Sequence, residues 1–351
     1  MNKFSKAKSD GNVCTDMFVG MDLHKNYLQV AVLDGKGKVL KNSRIDNDLS
    51  KVGRFFDRIG GSGNSSDVKV VMESSCVWYN IYEYLSEERQ LDVSLSNPFK
   101  TRAIASAKIK TDTLDAVKLA DLLRGGYIAK CYVPDRKIMD LRQLVRHRIV
   151  LVRMRTKLKN KIHGITLMQG IRITDTSAFS NNYVQKLKQL NDYRIDAYIR
   201  LIDSLDSEIK KVSKEIQSRA EKEDMTKLLV TIPGIGYYSA LLILSEIGDI
   251  NRFPDSHHLC SYAGLVPSTH SSGGITYHGS ITKRGSKYLR WIMLECARAH
   301  IRTNKKSNIT QFYTRLAKIK GNSKAAVAAA SKLLKVVYWV MKEKRKYHHH
   351  S

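Results

Sequence analysis

The first third of the chain alternates short apolar runs with polar turns. MFVGMDL, YLQVAVL and KVLKNSRI read as three successive strands, with DGKG at 34–37 as the hairpin turn between the second and third. The pattern then predicts a helix over 48–59, a buried strand at VKVVME, a helix at WYNIYEYLSEE and a short strand at LDVSLSN, closed by Pro98. A three-strand meander followed by alternating helix and strand implies a mixed sheet with helices on its faces. KTDTLDAVKLADLL reads as a further helix.

After Pro134 the period lengthens. Leu141, Leu144, Leu151, Leu158, Ile162 and Ile165 recur at helical spacing in a strongly basic stretch. A second helix follows a loop, with Ile195, Tyr198, Ile202, Leu205, Ile209, Val212 and Ile216 in alternating steps of three and four. That is a coiled-coil seam, which fits an antiparallel spacer or dimerisation arm, or else packing within one chain. From about 226 the pattern predicts a mainly α region: TIPGIG turning into the helix YYSALLILSEIG, then SHHLCSYAGL, an irregular polar stretch at 267–287, KYLRWIMLECARAHI, and helices near 308–319 and 323–344. The expected organisation is a flexible basic arm (1–16), an α/β domain (17–134), a helical coiled-coil spacer (135–225), a mainly α domain (226–345) and a tail (346–351).

Charge narrows the class of partner. Sixty Lys and Arg stand against 33 Asp and Glu, a formal net charge of +27, which points to a polyanion without naming an activity. Five scattered cysteines form no CxxC, so neither a zinc site nor a disulfide framework is expected, and a reducing cytoplasm fits. The N-terminus lacks the apolar stretch of a signal peptide, and no apolar run is long enough to span a bilayer.

Against that background four acids stand out. Asp22 and Glu73 each close an apolar run, at strand ends where loops gather side chains. Asp112 and Asp115 lie three apart, on one face of a helix. A lone aspartate is usually a solvated surface residue, and Asp16, Asp34, Asp67, Glu83 and Asp121 compete with these four. Four carboxylates in one place would need a counter-charge, and Mg²⁺ shared with phosphate oxygens is the usual one.

Three further features are suited to phosphate. TIPGIG resembles the turn of helix–hairpin–helix proteins, where Gly234 and Gly236 would expose backbone N–H groups at a helix start. The basic helix offers Arg142, Arg146, Arg148, Arg153, Arg155 and Lys157. The stretch 267–287 holds Ser268, Ser271, Ser272, Ser280 and Ser286 close to Lys283 and Arg284. An activated serine can attack phosphorus, but chemistry alone does not choose among the five, and an ordinary phosphate-binding loop is the plainer reading.

Together these motifs resemble the serine-containing DEDD transposases of prokaryotic insertion sequences, a family that includes site-specific DNA invertases and bridge-RNA-guided recombinases. GMDLHK, VVMESS and KTDTLDAVKLA are similar to its acid motifs, and SYAGLVPSTHSSGG with ITKRGSKYLR to its C-terminal domain. The resemblance covers nearly the whole chain. It implies a RuvC-like (RNase H-like) N-terminal domain whose Asp22, Glu73, Asp112 and Asp115 bind Mg²⁺. It implies Ser272 as the nucleophile, with Ser271 its close competitor, and a covalent phosphoserine link to DNA. Donor and target DNA, a structured non-coding guide RNA and a tetramer built from dimers are the implied partners, in the cytoplasm at the nucleoid. A RuvC-like structure-selective nuclease and a catalytically inert nucleic-acid scaffold are the alternatives.

Overall fold

The computed structural model describes residues 16–60, 67–75, 77–98, 100–101, 112–171, 179–272 and 275–348; of His270–Ser272, Ile275, Thr276 and His278 it describes the backbone. Residues 1–15 of the expected basic arm (1–16), Thr111, Gly273, Gly274 and the end of the tail (349–351) lie outside the described residues. The chain forms two compact units, Met1–Val133 and Pro134–Ser351.

The first unit is built on a five-stranded sheet. Its strands are β1 (Met17–Leu23), β2 (Tyr27–Leu33), β3 (Val39–Asp46), β4 (Val68–Glu73) and β5 (Asp92–Ser96), in the spatial order 3-2-1-4-5. β2 pairs antiparallel with both β1 and β3, whereas β4 runs parallel to β1 and β5 parallel to β4. Parallel neighbours need crossovers, and helices supply them: α1 (Leu49–Ile59) before β4, and α2 (Trp78–Glu83), which continues as a π-helical turn over Tyr84–Glu88, before β5. Asp48 caps α1 by accepting from the Lys51 backbone N–H.

Strand alternation divides the sheet into two faces. Val19, Met21, Leu28, Val30, Val70 and Met72 point to one, where they pack with Val52, Phe55, Phe56, Ile81 and Leu85 of the crossover helices. The opposite face carries Phe18, Ala31 and Leu33, covered by Ala116 and Ala120 of α3 (Asp112–Arg124). Gly20 makes this second contact possible. A Cβ there would collide with the Ala116 carbonyl oxygen and the Ala120 nitrogen, so the bare backbone lets α3 settle onto β1.

The second unit is almost wholly helical. α4 (Arg136–Met168) is 33 residues long, followed by α5 (Asn181–Lys188) and the 30-residue α6 (Tyr193–Lys222). Arg148 bonds Ser213, Arg155 pairs with Asp206, and Gln169 donates to Asp192, so the partner number falls as the other rises: α4 and α6 run antiparallel. Ile162, Tyr183, Leu187, Ile195, Ile199 and Ile202 form a cluster of their own at one end of this pair. At the other end, Leu141, Val145, Ile149, Ile216 and Ala220 join the core of the remaining helices. The seam residue Ile202 is thus buried against neighbours in the same chain.

Those remaining helices are α7 (Asp224–Val230), α8 (Tyr237–Ile247), α9 (Ser256–Tyr262), α10 (Lys287–Thr303), α11 (Asn308–Lys320) and α12 (Asn322–Glu343). The stretch read as irregular at 267–287 is instead mostly a β-hairpin, β6 (Pro267–Ser272) and β7 (Ile275–Ile281), paired antiparallel from Pro267↔Ile281 to Ser272↔Ile275. Among the described residues, no helix is long and apolar enough to cross a membrane.

Candidate functional site

The parallel β1–β4 register ends at Met21↔Met72, so Asp22 and Glu73 follow at the next position of each strand, on the face that α3 covers. α3 begins at Asp112 and is held there by the sheet: Asn42 of β3 donates to the Thr113 carbonyl at 3.3 Å, and Gln29 of β2 orients Asn42 at 2.6 Å. With Gly20 letting the helix come close, Asp112 and Asp115 in its first turn reach the carboxyl end of β1.

His24 joins the acids. Its Nε2 lies 3.2 Å from Asp22 Oδ2 and 3.4 Å from Asp112 Oδ2. Asp22, His24 and Asp112 each offer a ligand atom within 4.8 Å of the others. The turn after β1 is set by the His24 N–H bonding the Tyr27 carbonyl and by Asn47 donating to the His24 and Lys25 carbonyls. Tyr27 stacks on the His24 ring with centroids 4.5 Å apart and donates its hydroxyl to Asp112 Oδ2 at 2.8 Å, while Arg44 lies over its other flank, 3.4 Å from the centroid.

Burial pushes the Asp22 carboxyl above its ordinary pKa; His24 opposes this, and the charges of Asp112 and Asp115 add to it. The hydrogen bond to Asp112 raises the Tyr27 hydroxyl. Asp115 has a cation beside it, Lys118 at 3.3 Å. The tight group therefore contains Asp22 and Asp112 of the four predicted acids. Asp115 is near enough to act on Asp22 through its charge, and Glu73 stands at the adjacent strand end.

In the second unit the predicted cations have partners. Arg146 makes a two-pronged pair with Glu246, at 2.8 and 3.1 Å, and Arg142 donates to the Ser245 carbonyl at 2.9 Å. Arg148 bonds Ser213 and stacks over Tyr238, and Arg155 pairs with Asp206. Arg153 and Lys157 are exposed, and neither has an acidic partner among the described residues.

Gly234 and the two C-terminal motifs are committed to packing as well. Gly234, at φ +90°, sits against the α10 backbone at Cys296 and His300, and buried His300 bonds the Pro233 carbonyl at 2.7 Å. Gly236 caps α8 with open space around it. SYAGLVP and TKRGS interlock: the Lys283 and Ser286 N–H groups bond the Gly264 and Tyr262 carbonyls, and a Cβ on Gly264 or Gly285 would strike the other segment. Lys283 and Arg284 remain exposed in that loop. Ser286 is a structural serine, capping α10 and donating to Glu246 at 2.8 Å. Ser271 and Ser272 close β6, opposite Thr276 and Ile275.

Two family models match the chain. One is the IS110-type DEDD transposase model, described as Transposase, over residues 19–171; the other is Transposase IS116/IS110/IS902 family, over 226–314. The chain belongs to the IS110 transposase family. Within this family it is 24% identical to a transposase for insertion sequence element IS1111A from Coxiella burnetii over 94% of this chain and 90% of that one. It is 26% identical to a transposase for insertion sequence element IS1328 from Yersinia enterocolitica, over 81% and 83%. It is 28% identical to a pilin gene-inverting protein of Moraxella bovis, over 80% and 82%.

His24, Tyr27 and Glu246 are not among the residues that the sequence singles out. His24, two residues after Asp22, reads in sequence only as lining the same strand face, and its place just beyond β1 is the signal that could have marked it. Tyr27 and Glu246 reach their partners across 85 and 100 residues, and no local pattern marks that.

Proposed function

We propose that this IS110-family protein is a divalent-metal-dependent DNA recombinase that cuts and rejoins the DNA of an insertion sequence. The observation that carries the reading is the meeting of Asp22 and Asp112 around His24, where burial and the neighbouring carboxylates push the Asp22 carboxyl up. Asp22 and Asp112, at the carboxyl end of the central strand β1, offer the hard oxygen donors that fit Mg²⁺ or Mn²⁺, with Asp115 and Glu73 close by to complete the set. When bound, the metal would supply neutralisation of phosphodiester charge. The chain's own residues do the rest: Tyr27 holds Asp112 through its hydroxyl, and His24 holds Asp22, so the two carboxylates present fixed oxygens to a phosphate.

The nucleophile in this reading is Ser272. Its hydroxyl oxygen bonds to phosphorus as the bond to the leaving sugar oxygen breaks, and the serine proton passes to solvent or a neighbouring base. The phosphoserine link keeps the energy of the cut bond for rejoining. Recognition would rest on a structured guide RNA that pairs with donor and target DNA, with a dimer or tetramer bringing two sites together in the cytoplasm. That division of labour suits a strongly basic chain gripping phosphates while base pairing reads sequence.

Denaturing gels of the protein with labelled donor DNA test this. A shifted, protease-sensitive band should form with wild type and Ser271→Ala and be absent in Ser272→Ala. Its absence only in Ser271→Ala moves the nucleophile back by one residue. Cut DNA without any adduct makes the protein a nuclease, and neither product makes it a scaffold.

A further inference from the structure

A groove of about 740 Å³ runs between α4 and α6 and is lined by side chains from both. Arg153, Lys157 and Lys161 follow one another along α4 at four-residue steps, roughly 6 Å each along the axis. No acidic side chain lines the groove, and neither lysine has an acidic partner among the described residues. Arg194, at the groove's end, is paired with Asp192. Tyr198 and Ile165 provide apolar floor beside this row of charge.

Gly164 is the second and independent observation. It lies in the interior of a 33-residue helix, where glycine is disfavoured by its backbone entropy. Gly20, Gly234, Gly264 and Gly285 each meet a neighbour within the chain. At Gly164 a Cβ would find nothing within 4 Å. The fold does not require this glycine, and it opens directly into the groove.

We infer that this groove is a binding site for single-stranded nucleic acid, with Arg153, Lys157 and Lys161 on successive phosphates, a base against Tyr198, and the backbone passing closest at Gly164. Cations in single file suit one strand, and the apolar floor suits a base whose face is open, as it is not in a duplex. A second copy of the chain is a poor occupant. A two-fold contact would set each lysine row against itself. The inference rests on reading the protein as one that handles nucleic acid, but not on the metal site or the serine.

The test uses the full chain in chelator, with a short unstructured fluorescent oligonucleotide in ribo and deoxyribo forms, and the matching duplex. Gly164→Ala should raise the melting temperature by roughly 2–4 °C, because alanine is the better helix former. The same change should weaken single-strand binding about tenfold, an effect that helix stabilisation alone cannot cause, and weaken duplex binding less. Changing Lys157 and Lys161 to Gln should lower the salt slope by ~0.7 for each phosphate left without its lysine. Either sugar supports the site, and the ratio of the two affinities names the source of the strand. Unchanged affinity in Gly164→Ala overturns the proposal, as does an equal weakening for duplex. A halved mass by light scattering would hand the groove to a second copy. A failed metal or serine reading shows in DNA processing and leaves these binding measurements untouched.

Discussion

The two units each draw acids out of bulk water, and they treat them in opposite ways. In the second unit, Glu246 is 1% exposed and fully matched: Arg146 grips both its oxygens and Ser286 donates to one of them. In the first, Asp22 and Asp112 both lie against His24, Asp112 also accepts from the Tyr27 hydroxyl, and the charge of Asp112 helps to raise Asp22. A buried acid with all its partners supplied by the chain is finished; it ties α8 to α4 and to the loop before α10. The gathered acids of the first unit are held in place by the rest of the fold, here by the close seat of α3 on Gly20. Such a group is poised for a cation from outside.

The largest effect should come from the unfinished side. Asp112→Asn keeps the shape but replaces a carboxylate by a carboxamide, a poor ligand for a hard cation. DNA processing should fall at least ~1,000-fold, about 4 kcal/mol of barrier, with nucleic-acid affinity nearly unchanged. Recombination of labelled donor and target at the wild-type rate would show that the metal is held elsewhere.

Stability should change in opposite directions at the two acids. Glu246→Ala leaves the Arg146 guanidinium and the Ser286 hydroxyl without their acceptor. Breaking a buried pair costs about 3–5 kcal/mol, and partial exposure of Arg146 places this one near 3. Asp22→Asn should instead raise the melting temperature in chelator at neutral pH. Because the Asp22 pKa is raised in the fold, its ionised form costs stability at neutral pH, and that cost fades as the pH falls through the raised value. The gain in Asp22→Asn should therefore shrink on acidification. Thermal melts across pH would read both, and an Asp22→Asn protein less stable at neutral pH would mean that the site is already balanced.

Gly20 links the fold to the site, and its replacement should cost less. Gly20→Val forces α3 off the sheet, and overpacking of this kind costs typically 1–3 kcal/mol. Activity should suffer more than stability does, because the displaced helix carries Asp112. A variant that melts lower yet recombines normally would separate α3's position from the chemistry.

Much of this contrast is legible in the chain itself, and the exceptions are physical. Strand ends at Asp22 and Glu73, the helix at Asp112 and the long basic helix all follow from periodicity, because each buries a face of regular spacing. The hairpin at 267–281 escapes that reading because its alternation is written in Ser, Thr, His and Gly, which carry little hydrophobic contrast. The cations of α4 look like one uniform grip. Arg146 is turned inward by Glu246, a hundred residues away, and Arg148 and Arg155 by Ser213 and Asp206, whereas Lys157 and Lys161 are left exposed. Gly234 reads as a phosphate turn by sequence, yet its lack of a side chain is also needed to seat it against α10.

The smallest expected effect concerns self-association, and here adjacent residues of α6 must be kept apart. The seam predicts that charge at Ile202 would split an oligomer. Ile202 is buried in the cluster with Ile162, Tyr183 and Ile195, so a lysine there would unpack the helix pair and lower the mass for the wrong reason. Leu201 is the better probe: it is 53% exposed and turned away from that cluster. Leu201→Lys should leave the stability within the ±0.5 kcal/mol usual for surface changes. If α6 presents its outer face to another copy, as a dimerisation arm would, the mass by light scattering should fall with the fold intact. An unchanged mass would mean that the alternating steps of three and four serve only the packing of α6 on α4 within one chain.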